Sequence, residues 1–359
     1  MDTLFFEVDD AEKQILLDLY GDIDYDTTAD ALTVANASKY ADARIISCFV
    51  YSDLGDKVLA QLPRLKFIAT RSRTFDHIDL DYCDEHDIAV ANVPVYGCDT
   101  VAEHVFSLLL SLSRHIPQAA QKAREGNFSS FGLQGFDLHG KTIGIIGTGA
   151  IGMRTARIAR AFGMEVLGCD IRPDHSVAAE HGFIYTDFED LLRQSDVISL
   201  HVTAVAHPLL SDREFSLMKD GVTIINTASG TAIDVKALLW ALSSGKVGAA
   251  GLDVLPDETA IHEEAEFLRV SFSEKHNTET LLASHALLRH KNVIVTPHIA
   301  FCTRETVESI LHTTGDNIMS FRNGYYLNVI NKPSASTTGA IPRLKNAGGG
   351  APSGQRTNA

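Results

Sequence analysis

Basic residues are in short supply: Lys and Arg number 31 against 46 Asp and Glu, a formal net charge of −15. That balance offers no broad positive surface for tracking phosphates, so nucleic acid is not an expected partner. No apolar run approaches the ~18 residues that span a bilayer, and no membrane partner is expected either. Cysteine is sparse and scattered. Cys48, Cys83, Cys98, Cys169 and Cys302 include no CxxC pair and no Cys/His cluster at zinc spacing. This argues against a metal site and for reduced thiols in a cytosolic compartment. The amino terminus has no basic stretch ahead of its apolar residues and reaches Glu7 directly after Phe5 and Phe6, which reads as a strand rather than a signal peptide. Repeats of solenoid period are also missing.

What is present is the composition of a folded globular chain, 45% hydrophobic and 21% charged over 359 residues, long enough for two domains. The first hundred residues alternate strand-like and helix-like segments. Thr3 to Val8, Ala43 to Val50, Lys66 to Thr70 and Ile88 to Val93 have the apolar character of buried strands. Ala11 to Tyr20 has helical spacing, and a long amphipathic helix is expected from Thr100 to Glu125, stopping at Gly126. A second alternating series begins at Lys141, with six strands between Thr142 and Thr296 and helices in the gaps, then one more helix from Thr303 to Phe321. Strands alternating with helices imply parallel sheets with covered faces, an α/β fold whose second series has the size of a doubly wound Rossmann sheet. From about Lys332 the chain is too poor in apolar residues to fold, and 332–359 reads as a flexible tail. Trp240, the only tryptophan, sits in a helical Ala/Leu pattern and reads as core.

The segment Ile143-Gly144-Ile145-Ile146-Gly147-Thr148-Gly149-Ala150-Ile151-Gly152 places GxGxxG directly after an apolar strand and before a helix. Gly147 permits the tight turn, Gly149 lets the backbone approach a pyrophosphate, and Gly152 lets the helix pack close to the strand. The amides that open the helix, from Ala150 and Ile151 onward, then face the phosphates. Alone the pattern is weak. It gains weight from Asp170, which ends the next strand close to the ~20-residue spacing of a dinucleotide-binding fingerprint. A carboxylate there accepts both ribose hydroxyls and repels a 2′-phosphate, favouring NAD over NADP, although Arg172 is near enough to soften that preference.

Further motifs stand in order along the chain: Pro94-Val95-Tyr96, Val101-Ala102-Glu103-His104, Asp253-Val254 and Thr296-Pro297-His298-Ile299-Ala300-Phe301. With the glycine loop, they resemble the D-isomer-specific 2-hydroxyacid dehydrogenases, in particular the D-lactate dehydrogenase-like branch. The resemblance covers roughly residues 1 to 330. It implies a flavodoxin-like α/β substrate domain, residues 1–100 and 300–331, into which an NAD-binding Rossmann domain, 101–299, is inserted. It also implies a homodimer, and a reaction that moves a hydride between NAD(H) and a small D-2-hydroxy acid or 2-keto acid.

Such enzymes use a histidine, a glutamate and an arginine. The histidine matches His298: reducing a 2-keto acid puts a proton on oxygen, and an imidazole of near-neutral pKa can give and retake it. Against this stands the ordinary role of a loop histidine, one of 15 in the chain. The glutamate matches Glu258, whose carboxylate would fix the imidazole's tautomer; its plainer reading is one solvated acid in an acidic stretch. The resemblance places Asp253 near the nicotinamide, and Val202, Thr227 and Ala228 among the cofactor contacts. Tyr51, Tyr96 and Phe301 suggest an aromatic wall for the substrate.

The arginine is not there. The family pattern Asn-x-x-Arg-Gly reads Asn226-Thr227-Ala228-Ser229-Gly230, so Ser229 stands where a guanidinium normally holds the substrate carboxylate. A second departure lies in Arg71-Ser72-Arg73-Thr74-Phe75-Asp76, where Thr74 occupies the position of a glycine. A β-branched residue resists positive φ, so the amide cradle expected there would be distorted. Arg73 is a candidate replacement for the missing guanidinium, set against a role as a solvent-facing charge. A third departure is Thr203 in His201-Val202-Thr203, where the family usually has proline. Two functions stay open: an NAD-dependent oxidoreductase with altered activity, and a catalytically silent NAD-binding sensor or interaction protein on the same fold. Other motifs carry less. His262-Glu263-Glu264 lacks the second histidine of a zinc helix, and Ser229-Gly230 lacks the first glycine of a nucleophile elbow. Cys302 reads as a small packed residue.

Overall fold

The computed structural model describes residues 2–20, 24–202, 207–256 and 278–331. These form two compact units, one of residues up to Pro94 and from Glu308, the other Val95–Val307. One seam lies six residues before the 100/101 boundary read from the sequence and the other eight residues after the 299/300 boundary. The tail from 332, Thr203, His262 and Glu258 lie outside the described residues.

The first unit holds strands β1 (Thr3–Phe5), β2 (Asp26–Thr27), β3 (Ile45–Cys48), β4 (Phe67–Thr70) and β5 (Ala89–Ala91) in the order β2-β1-β3-β4-β5. Every pairing is parallel. This is the 2-1-3-4-5 order of flavodoxin-like sheets. β3 and β4 are buried along their whole length, which is why they read as continuous apolar runs without alternation. The chain's last described residues belong here too. Asn331 accepts from the Val90 amide at 2.8 Å and donates to Asp84 and to the Ile88 carbonyl.

The second unit begins with α4 (Cys98–Ser113) and α5 (Ile116–Arg124), following α1 (Asp10–Tyr20), α2 (Asp56–Leu59) and α3 (Leu80–Glu85) of the first. The single helix expected from Thr100 to Glu125 is therefore two. His115 takes a left-handed φ of 51°, and Pro117, which has no amide to donate, opens a new helix. The expected stop is at Gly126, whose φ is +77°.

A seven-stranded sheet follows: β6 (Thr142–Ile146), β7 (Glu165–Cys169), β8 (Ile184–Tyr185), β9 (Val197–Leu200), β10 (Val222–Asn226), β11 (Val247–Leu252) and β12 (Val293–Val295). Its order is β12-β11-β10-β9-β6-β7-β8, all parallel. The chain winds outward from β6 through β7 and β8, then crosses back to β9, so the order reverses between β6 and β9. A ligand in such a sheet sits beyond the carboxyl ends of the strands at that reversal.

The other helices among the described residues of this unit are α6 (Ala150–Ala161), α7 (His175–His181), α8 (Phe188–Gln194), α9 (Asp212–Leu217), α10 (Val235–Ser244), α11 (Thr278–Leu288) and the start of α12 (Arg304–Arg322), which returns the chain to the first unit. Trp240 is not core. Val235, Ala237, Leu238, Ala241 and Leu242 form the buried face of α10, and Trp240 points away from it, 73% exposed.

Candidate active site

The glycine loop sits at the reversal point. Gly147 has φ +92°, and a Cβ there would lie 2.6 Å from the His201 carbonyl oxygen and 3.2 Å from the Val202 amide. Both of those residues follow β9, so the loop closes against the neighbouring strand's end. A Cβ on Gly152 would meet the Gly147 carbonyl at 2.1 Å, which fixes glycine there as a packing requirement. Gly149 differs: nothing lies within 4 Å of its Cβ position, and as the N-cap of α6 it offers no side chain to the first helical amides. Those amides, with Ala150 and Ile151 at their head, leave an open cradle for an anion.

Asp170 follows β7. Its Oδ2 accepts from the Thr148 amide (2.7 Å) and hydroxyl (3.1 Å), and its Oδ1 accepts from the Arg172 amide (2.8 Å). Partial burial works to raise its pKa, but these donors outweigh burial and hold the carboxyl below its ordinary range. His201 donates or accepts through Nε2 with the Ser199 hydroxyl at 2.9 Å, and burial pushes its imidazole down to about 4, so it is neutral at physiological pH.

Beyond β10, the Asn226 side chain organises the loop that carries the serine substitution. It accepts from the Ala228 amide (3.0 Å) and donates to the Ser229 carbonyl (2.8 Å). Ser229 is half-buried, and its hydroxyl pairs with that of Thr231 at 2.9 Å. Gly230 is pressed against Leu255, whose backbone would lie 2.3 Å from a Cβ there. The Thr227 hydroxyl is buried and has no hydrogen-bond partner among the described residues. A buried polar atom left in this way calls for a partner from outside the chain. With the Gly149 cradle and the ionised Asp170 it makes a set that fits NAD.

The residue that knits the remaining loops together is Asp253, at the end of β11 and 1% exposed. It accepts from the Thr296 hydroxyl (2.5 Å) and from the amides of Ile299 (3.0 Å) and Ala300 (2.9 Å), while His104 on α4 places Nε2 3.4 Å away. His104 Nε2 also lies 3.0 Å from the Thr296 hydroxyl. Burial raises the Asp253 pKa, but His104, Thr296 and the two amides together bring it below the ordinary value.

The chain around the carboxylate, Thr296 to Ala300, is thereby wrapped into a tight turn. The His298 amide donates to the carbonyls of Asp253 and Thr296, both at 2.9 Å. His298 itself takes φ +53°, a left-handed conformation unusual for a residue with a Cβ. Its ring stands edge-on to Phe301 at 6.4 Å, and Phe301 is edge-on to Tyr96 at 6.3 Å. The structure therefore gathers His298, Phe301 and Tyr96 in one aromatic group. His104 and Thr148 were missed by sequence reasoning; the only signal for His104 was its place in the Val-Ala-Glu-His motif.

Asp253→Ala strands two amides, a hydroxyl and an imidazole. At about 1–3 kcal/mol per unsatisfied buried group, a loss of about 3 kcal/mol or more is expected in thermal or denaturant unfolding. The effect has a pH signature. A carboxyl whose folded pKa lies below the unfolded value, near ~3.9, contributes fully above that value and is lost as pH falls through the folded one. The variant is therefore expected to lose less stability than wild type on acidification below pH ~4. Parallel acid curves for the two proteins would show that Asp253 is not the anchor.

In the first unit, Arg71 is fully buried and donates to the carbonyls of Phe6 (2.8 Å) and Glu7 (2.7 Å) and to the Ser47 hydroxyl (3.4 Å). The next residues form a hydroxyl-capped turn: the Thr74 amide donates to Ser72 Oγ at 3.0 Å, and the Asn92 side chain donates to the Arg73 carbonyl at 2.9 Å. Thr74 is not among the positive-φ residues, so a negative φ accommodates its branched side chain. The cost is that its amide already has an acceptor. The side chain of Arg73 is exposed, and Tyr51 stands edge-on to Phe49 at 5.9 Å.

Comparison with known proteins agrees with this architecture. The family described as D-isomer specific 2-hydroxyacid dehydrogenase, NAD binding domain, matches residues 106–300. The D-lactate dehydrogenase of Escherichia coli (strain K12) is 38% identical over 307 residues, covering 82% of this chain and 88% of that protein. The glyoxylate reductase of Thermococcus litoralis is 32% identical over 304 residues, with coverage of 82% and 85%. Among solved structures, D-lactate dehydrogenase from Aquifex aeolicus, complexed with NAD and lactic acid, has a TM-score of 0.79 and 36% identity, covering 93% of this chain and all of that one. The chain belongs to the D-isomer-specific 2-hydroxyacid dehydrogenase family. It is an NAD-dependent oxidoreductase of the hydroxy acid class. No helix among the described residues is long and apolar enough to cross a membrane.

Proposed function

We propose that this chain interconverts a small D-2-hydroxy acid and its 2-keto acid, with His298 moving the proton. The observation that carries the reading is the left-handed His298, held on a turn that Asp253 clamps at the carboxyl edge of the nucleotide-binding sheet. Strain of this kind persists where the surroundings over-determine it, and it gathers at functional sites. NAD, when bound, supplies the two-electron acceptor or donor. The amides from Gly149 to Gly152 take its pyrophosphate and Asp170 its adenosine ribose, while Val202, Thr227, Ala228 and Asp253 line the remainder. His298 accepts the hydroxyl proton in oxidation and returns it to the oxygen in reduction. Glu258 is assigned as the imidazole's partner by resemblance to the family. Tyr96 and Phe301 supply apolar contact for the substrate side chain, and Thr74 shapes the carboxylate loop, on which Arg73 is the candidate cation.

The serine favours a second reading. With its hydroxyl paired to Thr231, Ser229 offers a substrate carboxylate one short neutral donor, as a silent NAD-binding sensor on this fold would. NADH oxidation with pyruvate, phenylpyruvate, glyoxylate and 2-ketoisocaproate, run beside an NADH binding titration, separates the two. Turnover of any acid supports the enzyme, binding without turnover supports the sensor, and no affinity for NADH removes both.

A homodimer is part of the proposal. α5 contributes no buried residue to its own unit, and the segment after it holds Phe128 and Phe131 at 87% and 89% exposure. Two large aromatic side chains so close in sequence and so open to water suit a face that a partner covers. Sedimentation is expected to show twice the 39.0 kDa chain mass, and a monomer would remove this part. All five cysteines are unpaired, which suits a reducing, cytosolic setting that cell fractionation would show.

A further inference from the structure

Tyr185 forms the end of a hydrogen-bond chain that reaches the ribose-facing carboxylate. Its hydroxyl lies 2.7 Å from Thr148 Oγ1, and Thr148 Oγ1 lies 3.1 Å from Asp170 Oδ2. The direction follows from proton count. The ionised carboxylate only accepts, so the threonine proton is committed to Asp170, and Tyr185 must donate to the threonine oxygen. Each donor polarises the next, and the chain ends on the carboxylate.

The surrounding packing serves the same geometry. Tyr185 is the strand partner of Gly168 on β7. A Cβ at Gly168 would lie 2.7 Å from the Phe183 ring and 3.2 Å from the Thr148 methyl, so the missing side chain admits both. Phe183 and His175 stand edge-on to the Tyr185 ring at 5.2 and 5.3 Å and fix its plane. Two residues outside the GxGxxG glycines, Thr148 and Tyr185, thus lead to that carboxylate, and Phe183 and His175 hold the tyrosine in place.

We propose that Tyr185, through Thr148, is a positioning residue for recognition of the adenosine ribose, holding Asp170 so that Oδ1, the oxygen Thr148 does not occupy, meets the ribose hydroxyls. This rests on the reading that Asp170 grips that sugar. Binding is the readout, followed by fluorescence titration with NADH and with its analogue lacking the adenosine 2′-hydroxyl.

Tyr185→Phe removes one donor and no packing. It is expected to weaken NADH binding by about fivefold, the size of one net hydrogen bond, and to weaken the deoxy analogue, which keeps only the 3′-hydroxyl, by less than that. Thr148→Val, which breaks the same chain, is expected to shift the preference the same way, Thr148→Ser to restore it, and the Tyr185→Phe/Thr148→Val pair to add little to Thr148→Val alone. Equal losses for both nucleotides, or no loss for either, would overturn the positioning role. So would Thr148→Ser behaving as Thr148→Val does. Failure of wild type to bind NADH would instead remove the underlying reading, and Asp170→Ala binding NADH as wild type does would show that the carboxylate is not the ribose contact.

Discussion

His298→Asn is expected to lower kcat for 2-keto acid reduction by about three powers of ten while NADH affinity stays as in wild type. Asparagine is the informative choice because it tolerates the left-handed conformation that position 298 takes, at φ +53°. The turn around Asp253 survives the change, since it is made by backbone amides and the Thr296 hydroxyl. What is lost is a group able to exchange a proton near neutral pH. Three powers of ten correspond to about 4 kcal/mol of barrier, within the range for removing a general acid and base. Steady-state kinetics with the best keto acid, paired with the titration, gives both numbers. A kcat within tenfold of wild type would show that the proton travels by another route.

Ser229→Arg is expected to act in the opposite direction, raising kcat/KM for keto acids by about two powers of ten or more. A guanidinium gives two charge-assisted hydrogen bonds to a carboxylate where serine gives one neutral bond, a difference of about 3–5 kcal/mol in a well-oriented site. The backbone accommodates the change: Ser229 is extended, with φ −147° and ψ 134°, and the crowded neighbour is Gly230. Arg73→Ala in the wild-type background completes the comparison. A large fall there, with little gain from Ser229→Arg, would mean that Arg73 already supplies the charge. If Arg73→Ala leaves a measurable activity untouched, compensation fails.

The nucleotide end of the molecule was legible because its constraints are local. Gly147 needs a positive φ and Gly152 has no room for a Cβ, so sequence and geometry say the same thing within a few residues. The clamp around Asp253 was not legible, because its partners come from α4 and from the turn after β12, and no spacing rule links position 253 to 104 or 296. Trp240 was misread for a related reason. An Ala/Leu-rich helix looks apolar all round, and only the packed structure shows which face is inside. The split between α4 and α5 was readable from Pro117, which the strength of the apolar pattern before it overrode. The carboxylate loop shows the opposite case. Thr74 looked incompatible with its place, yet Ser72 gives its amide an acceptor and the backbone takes a different φ.

Arg71 bears on how this loop can change. The chain leaves β4 on a guanidinium tied to the ends of two neighbouring strands through Phe6, Glu7 and Ser47. Its departure point is therefore fixed by the interior, whatever stands at 73 and 74. Mutational drift at those two exposed positions alters what the loop offers a substrate and leaves its footing intact. A departure from the family pattern such as Thr74 can accordingly accumulate without first unmaking the domain that carries it.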